Sequence, residues 1–191
     1  MGQQTWAGAM GEVWRSARRH KIVSALVALV VAGSLTAIAL ASSASGQAAK
    51  PADQAAAAFS LPALGQSGQH VALEGYRGKP LIVNFFASWC GPCKKETPLL
   101  AGFYRSEHGK VAIVGLDEND VRASAISFTR SYGVGYPVGF DPAAIAASAY
   151  GVSALPQTFF LDARHRIVDR VFGAVTLADL NRGIALATGK G

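Results

Sequence analysis

The sequence predicts an α/β layer fold, a central mixed sheet flanked by helices, placed after an N-terminal apolar segment. Three observations predict it. From residue 59 onward, short β-branched or aromatic runs alternate with helical stretches. Half of the 191 residues are hydrophobic and only 16% are charged, enough apolar surface for one core of ordinary size. Ahead of both lies Ile22 to Ala41, twenty residues without a charge. The same composition excludes a disordered chain. Two cysteines exclude a disulfide-dense scaffold.

The formal net charge of +6 invites a nucleic-acid reading, but its distribution argues against one. Arg15, Arg18, Arg19 and Lys21 stand against Glu12 in residues 1–21, which hold half of the excess. Residues 42–191 carry fourteen Lys/Arg and eleven Asp/Glu with no basic stripe, so a solvated mixed surface is expected and no nucleic-acid partner.

As a helix, residues 22–41 would be about 30 Å long, the thickness of a bilayer's hydrocarbon core. The basic cluster before them keeps residues 1–21 in the cytoplasm and exports the C-terminal part of the chain. The expectation is a single-pass anchor in the cell membrane with an extracytoplasmic domain. The alternative is a cleaved signal and a secreted product, since Ala39-Leu40-Ala41 offers an A-x-A end. A typical signal's apolar region is only ~7–15 residues, shorter than this one. Ser42 to Ala58, small and polar with one proline, reads as a flexible linker to a folded domain at 59–191.

Within that domain, Leu81 to Phe86 and Val111 to Leu116 are runs of the type buried on both faces of a sheet. Gln157 to Leu161 and Ile167 to Phe172 supply two more strands across the turn-like Asp162-Ala163-Arg164-His165, and this pair is expected to be antiparallel. Helices are expected at Cys93–Phe103, Val121–Tyr132, Ala143–Tyr150 and Leu177–Ala187.

Directly after Phe86 comes Ala87-Ser88-Trp89-Cys90-Gly91-Pro92-Cys93-Lys94-Lys95-Glu96, which holds both cysteines of the chain. If a helix begins here, the two thiols share one face and can close a small disulfide. Cys90 then sits at the helix N-terminus, where unpaired N–H groups and the helix dipole favour a thiolate. That makes Cys90 the exposed nucleophile and Cys93, one turn inside, the resolving thiol. Pro92 suits the first turn, where its missing N–H costs nothing. The plainer readings are a structural disulfide or half a zinc site. Zinc needs four ligands in a closed structural site, and His70, His108 and His165 are isolated in the sequence, so no metal is assigned.

Trp89-Cys90-Gly91-Pro92-Cys93 resembles the active-site motif of the thioredoxin superfamily. Its surroundings are similar to the membrane-anchored TlpA/ResA-like and cytochrome c maturation thiol–disulfide oxidoreductases. The similarity covers roughly Phe59 to Ala187 and includes Phe59-Ser60-Leu61-Pro62 and Lys94-Lys95-Glu96-Thr97-Pro98. It implies a thioredoxin-like fold, with an extra strand and helix between Asp117 and Pro156. Pro156 matches the family's cis-proline, which presents the backbone edge at Leu155 to a substrate strand; a trans proline opening a strand is the plainer reading. Asn84 stands where plain thioredoxin has a buried aspartate and cannot titrate. Glu96 matches the glutamate that the anchored branch uses to take the proton of the inner cysteine; otherwise it is a solvated helix residue beside two lysines. Trp89, with Gly91, Pro92 and Leu155, is expected to border the substrate, and Glu74 to be a surface residue.

The resemblance implies an enzyme without a cofactor that reduces disulfides in exported proteins, such as apocytochrome c or copper-site proteins. Electrons would arrive from a transmembrane donor protein. Oxidase or isomerase activity is the alternative within the class. A thiol peroxidase would resemble P-x-x-x-T-x-x-C, but position 87 is alanine. A copper(I) chaperone could use two thiolates, yet no third soft ligand stands out.

Overall fold

The computed structural model describes residues 54–107 and 110–190. The basic N-terminus, the 22–41 segment, most of the expected linker and His108 lie outside the described residues. Among the described residues no helix is long and apolar enough to cross a membrane.

In chain order the elements are β1 (Gln54–Ala55), β2 (Ser60–Pro62), β3 (His70–Ala72), a 3-10 turn (Leu73–Tyr76), β4 (Leu81–Phe86) and α1 (Gly91–Glu107). They continue with β5 (Ala112–Glu118), α2 (Arg122–Ser131), β6 (Val138–Asp141), α3 (Ile145–Ala149), β7 (Gln157–Leu161), β8 (Arg166–Phe172) and α4 (Leu177–Ala187). Six strands form one mixed sheet in the order β1-β8-β7-β4-β5-β6. β4, β5 and β6 run parallel, and β7, β8 and β1 add antiparallel pairings. The β2–β3 hairpin joins the β6 edge through Ala63 and Gly139.

Every residue of β4 is buried, because helices and loops cover both faces of the sheet. Alternation along the strands divides the core in two. Val83, Phe85, Val114, Leu116 and Phe159 pack with Ala147 and Tyr150 around α3. Ile82, Phe86, Ile113 and Phe160 pack on the other face with Leu100 of α1, Phe128 of α2 and Leu180 of α4. Asn84, Gly115, Asp117 and Thr158 share the parity of this second face, and Asn84 reaches Glu96 of α1. At Gly115 a Cβ would lie 2.9 Å from Phe86 and 3.1 Å from Tyr136, so only glycine fits beneath these rings. Gly183 similarly lets α4 lie directly on the ring of Phe160.

Most expected elements are present, with shifted ends. β4, β7 and α4 have the expected bounds, and the stretch between Asp117 and Pro156 holds α2, β6 and α3. The helix that carries Cys93 starts two residues earlier than expected, at Gly91, and runs to Glu107 through Pro98. The linker boundary needs a larger correction. Gln54 and Ala55 pair with Ile167 and Arg166, and Ala56 N–H donates to His165 O at 2.8 Å, so the fold is under way before residue 59. Strand addition here uses backbone groups, which an alanine-rich composition does not report.

Candidate active site

β4 delivers the chain to the site and α1 receives it. Cys90 and Cys93 form a disulfide with an S–S distance of 2.03 Å. Because α1 begins at Gly91, Cys90 precedes the first turn, and Cys93 N–H donates to Cys90 Sγ at 3.2 Å. A free main-chain donor at a helix N-terminus is thus aimed at the outer sulfur. The expected exposed nucleophile is recessed: Cys90 is 4% exposed and Cys93 fully buried. The reason is packing, since both sulfurs belong to the cluster that Ala87, Phe86 and the half-buried Leu155 help to build.

Trp89 is 58% exposed beside the disulfide. Its indole Nε1–H donates to Asn119 O at 3.0 Å, and Ser88 N–H donates to Asp120 Oδ2 at 2.6 Å. The β5–α2 loop therefore holds the lip of the site. Asn119 adopts φ +49°, a left-handed conformation that asparagine tolerates better than most residues. Gly91 and Pro92 are exposed on the first turn.

Leu155-Pro156 is a cis peptide bond. The register Phe85↔Gln157 brings Pro156 to the end of β4, from which the chain enters the cysteine motif. Leu155 packs against the cluster that holds both cysteines, and Trp89, Gly91 and Pro92 flank them along the chain.

Glu96 is buried one turn beyond Cys93, not a solvated helix residue. Asn84 Nδ2 donates to its Oε1 at 2.8 Å and to Thr158 Oγ1 at 3.0 Å. Val175 N–H donates to its Oε2 at 2.8 Å. Burial raises the Glu96 pKa to about 7, while the hydrogen bonds from Val175 and Asn84 pull the other way. Tyr136 is buried within the field of Glu96; desolvation and that charge both raise its phenol. Asn84 does not titrate, and it positions the carboxyl that does.

Asp117 is a second buried carboxyl, one that sequence reasoning missed. It is fully buried, opposite Phe86 in the β4–β5 ladder, and neither oxygen makes a hydrogen bond of normal geometry. Burial first, then the charge of Asp120, raises its pKa to about 8; Arg122 opposes. The cluster Asp117-Glu118-Asn119-Asp120 after an apolar run is its only sequence signal. Glu74 is a surface residue, ion-paired with Arg77. His70 is exposed on β3 and His165 is buried in the β7–β8 turn. Among the described residues no group of three or more His, Cys, Asp or Glu side chains is placed to hold a metal ion.

The fold and this site define a thioredoxin-like domain bearing a C-x-x-C disulfide at a helix N-terminus. The chain belongs to the AhpC/TSA family, whose model matches residues 52–170. It is 35% identical over 111 residues to the thiol-disulfide oxidoreductase ResA of Bacillus subtilis (strain 168), a match covering 58% of this chain and 62% of that protein. It is 32% identical over 114 residues to the ResA of Bacillus thuringiensis (strain Al Hakam), covering 59% and 66% respectively. The chain thus spans less than two thirds of both relatives. A DsbF homologue from Corynebacterium diphtheriae superposes with a TM-score of 0.63 at 27% identity, over 69% of this chain and 84% of that one. A DsbE-type thiol:disulfide interchange protein from Chlorobium tepidum superposes with a TM-score of 0.65 at 24% identity, over 71% and 96%, a likeness of fold.

Proposed function

We propose that this protein is a thiol–disulfide oxidoreductase, tethered to the cell membrane, that reduces disulfides in exported proteins. The observation that carries the reading is the Cys90–Cys93 disulfide at the start of α1 with the carboxyl of Glu96 buried one turn beyond it. The ResA relatives support the same chemistry.

In the working direction the pair begins reduced. The Cys90 thiolate, stabilised by the helix N-terminus, attacks one sulfur of a substrate disulfide. A mixed disulfide forms and the first substrate thiolate leaves. Cys93 gives its proton to the Glu96 carboxylate and attacks Cys90 Sγ, releasing the second substrate thiolate. The substrate gains two electrons and the protein ends as the disulfide of this structure. An external dithiol must restore it, and a transmembrane electron donor protein fits that role. Trp89 and Leu155 border the substrate, with Leu155 offering its backbone edge to an extended peptide. Apocytochrome c and copper-site proteins are the substrate classes that the resemblance favours. The charge-free segment 22–41, behind its basic cluster, supports the membrane tether and the extracytoplasmic placement.

The deciding experiment is the equilibrium reduction potential of the full chain, read by thiol trapping in redox buffers. A value near about −270 mV or lower supports a reductant, and one approaching about −120 mV overturns that direction in favour of disulfide formation. A Cys93→Ser variant traps mixed disulfides and identifies the substrates.

A further inference from the structure

The segment that carries Leu155 and Pro156 has an unusual support on the side of the sheet away from α1. Arg170 of β8 lies opposite Phe159 of β7, with its guanidinium 4.7 Å above the Phe159 ring and 4.3 Å from the Phe172 ring. Its Nε–H donates to Gln157 Oε1 at 3.2 Å, and its Nη2 donates to that same oxygen. Nη2 also donates to Gly151 O at 2.8 Å. Gln157 is buried and follows Pro156 directly, while Gly151 ends the turn after α3. One guanidinium therefore ties both ends of the segment 152–156 to each other and to the sheet. Main-chain bonds work at the same two points, Val152 N–H to Ala147 O at 2.9 Å and Gly173 N–H to Pro156 O at 2.9 Å.

We propose that Arg170 is a positioning residue that staples the Gly151–Gln157 segment and so fixes the Leu155 edge against which a protein disulfide docks. The inference rests on the oxidoreductase reading for its consequence, and on the contacts of the guanidinium for its geometry. Arginine suits the task and lysine does not. A planar fork can donate in several directions at once while its faces stack between two rings, whereas an ammonium is a point donor with no face. The staple touches neither sulfur. It governs how long the docking edge stays in place, which matters to an extended polypeptide and not to a small disulfide that meets the sulfurs directly.

The test uses the full chain with Arg170→Met, which keeps an unbranched apolar side chain without the donors, and Arg170→Lys, which keeps the charge. Insulin is the protein disulfide and 5,5′-dithiobis(2-nitrobenzoate) the small one. For Arg170→Met the expected result is a loss of about tenfold in kcat/KM on insulin, carried mainly by KM, with the small disulfide within twofold of wild type. Amide exchange at residues 152–155 is expected to accelerate by about tenfold or more, with Arg170→Lys between that variant and wild type. Equal losses on both substrates, or an unchanged insulin KM with unchanged exchange, overturn the proposal. If the wild-type chain reduces neither substrate, the oxidoreductase reading fails, and amide exchange alone decides the staple. If Arg170→Met does not fold, the insulin-to-small-disulfide ratio of Arg170→Lys decides it.

Discussion

Asn84 Nδ2 donates to Glu96 Oε1 at 2.8 Å, which ties a central strand to the active-site helix through the interior of the protein. The donated bond favours the carboxylate and opposes the burial that raises the Glu96 pKa to about 7. Asn84→Leu removes the donor and leaves the desolvation, so Glu96 should titrate above its wild-type midpoint. Carbon-13 NMR of the glutamate carboxyl across pH 5–9 reads this directly. A midpoint that stays put or falls would mean the bond does not tune the acid.

Glu96→Gln should slow the second chemical step. A group that takes a proton in such a step typically contributes about 10²–10⁴-fold. The decay of the mixed disulfide, followed by stopped flow from pH 6 to 9, should lose a hundredfold or so in rate together with its rise near pH 7. Superimposable profiles for variant and wild type would remove Glu96 from the mechanism.

Asp117 carries a stability signature of known sign. Its pKa is raised from 3.8 to about 8 in the folded protein, so the native state holds an extra proton between those values. Its contribution to stability is complete below about pH 4 and is lost progressively as pH rises toward 8. Asp117→Asn cannot ionise, so its stability relative to wild type should improve from pH 5 to pH 8.5. Urea midpoints at the two pH values decide the matter. An identical difference at both would show that Asp117 is ionised throughout.

Gly183 tests the packing that holds α4 on the sheet. A Cβ at this position would run into the Phe160 ring, which lies in the fully buried layer and has no room to retreat. Gly183→Ala should therefore destabilise by roughly 1–3 kcal/mol, despite alanine's better helix propensity. A thermal midpoint at or above the wild-type value would show that the ring can move aside.

Much of the molecule was legible in the residues alone. The run from Leu81 to Phe86 marked its strand residue for residue, because a strand covered on both faces needs nearly continuous apolar character, and the strand expected from Gln157 to Leu161 has the same bounds in the structure. The last helix has the bounds expected for it, Leu177–Ala187, and the structure adds a capping box of Thr176 and Asp179 that satisfies its first backbone donors. Cys90 and Cys93 were legible as a pair because two cysteines three positions apart at a helix start need no tertiary information to meet.

Their surroundings were not legible in this way. The partners of Glu96 are 12 and 79 residues away, and Asn84 reaches Thr158 across 74. Local patterns carry no record of such meetings, because sheet order and register create them. The same holds for β1, which joins the sheet through backbone groups, and for Arg170, whose role depends on β8 lying beside β7. Cys90 read as exposed because helix chemistry favours an open N-terminus, yet Phe86, Ala87 and Leu155 close around it. The order of residues settled where the two cysteines stand and which strand carries the chain to them. The fold settled how deeply their sulfurs are buried and which distant polar groups set the proton affinity of Glu96, because burial and hydrogen bonding are properties of neighbours in space.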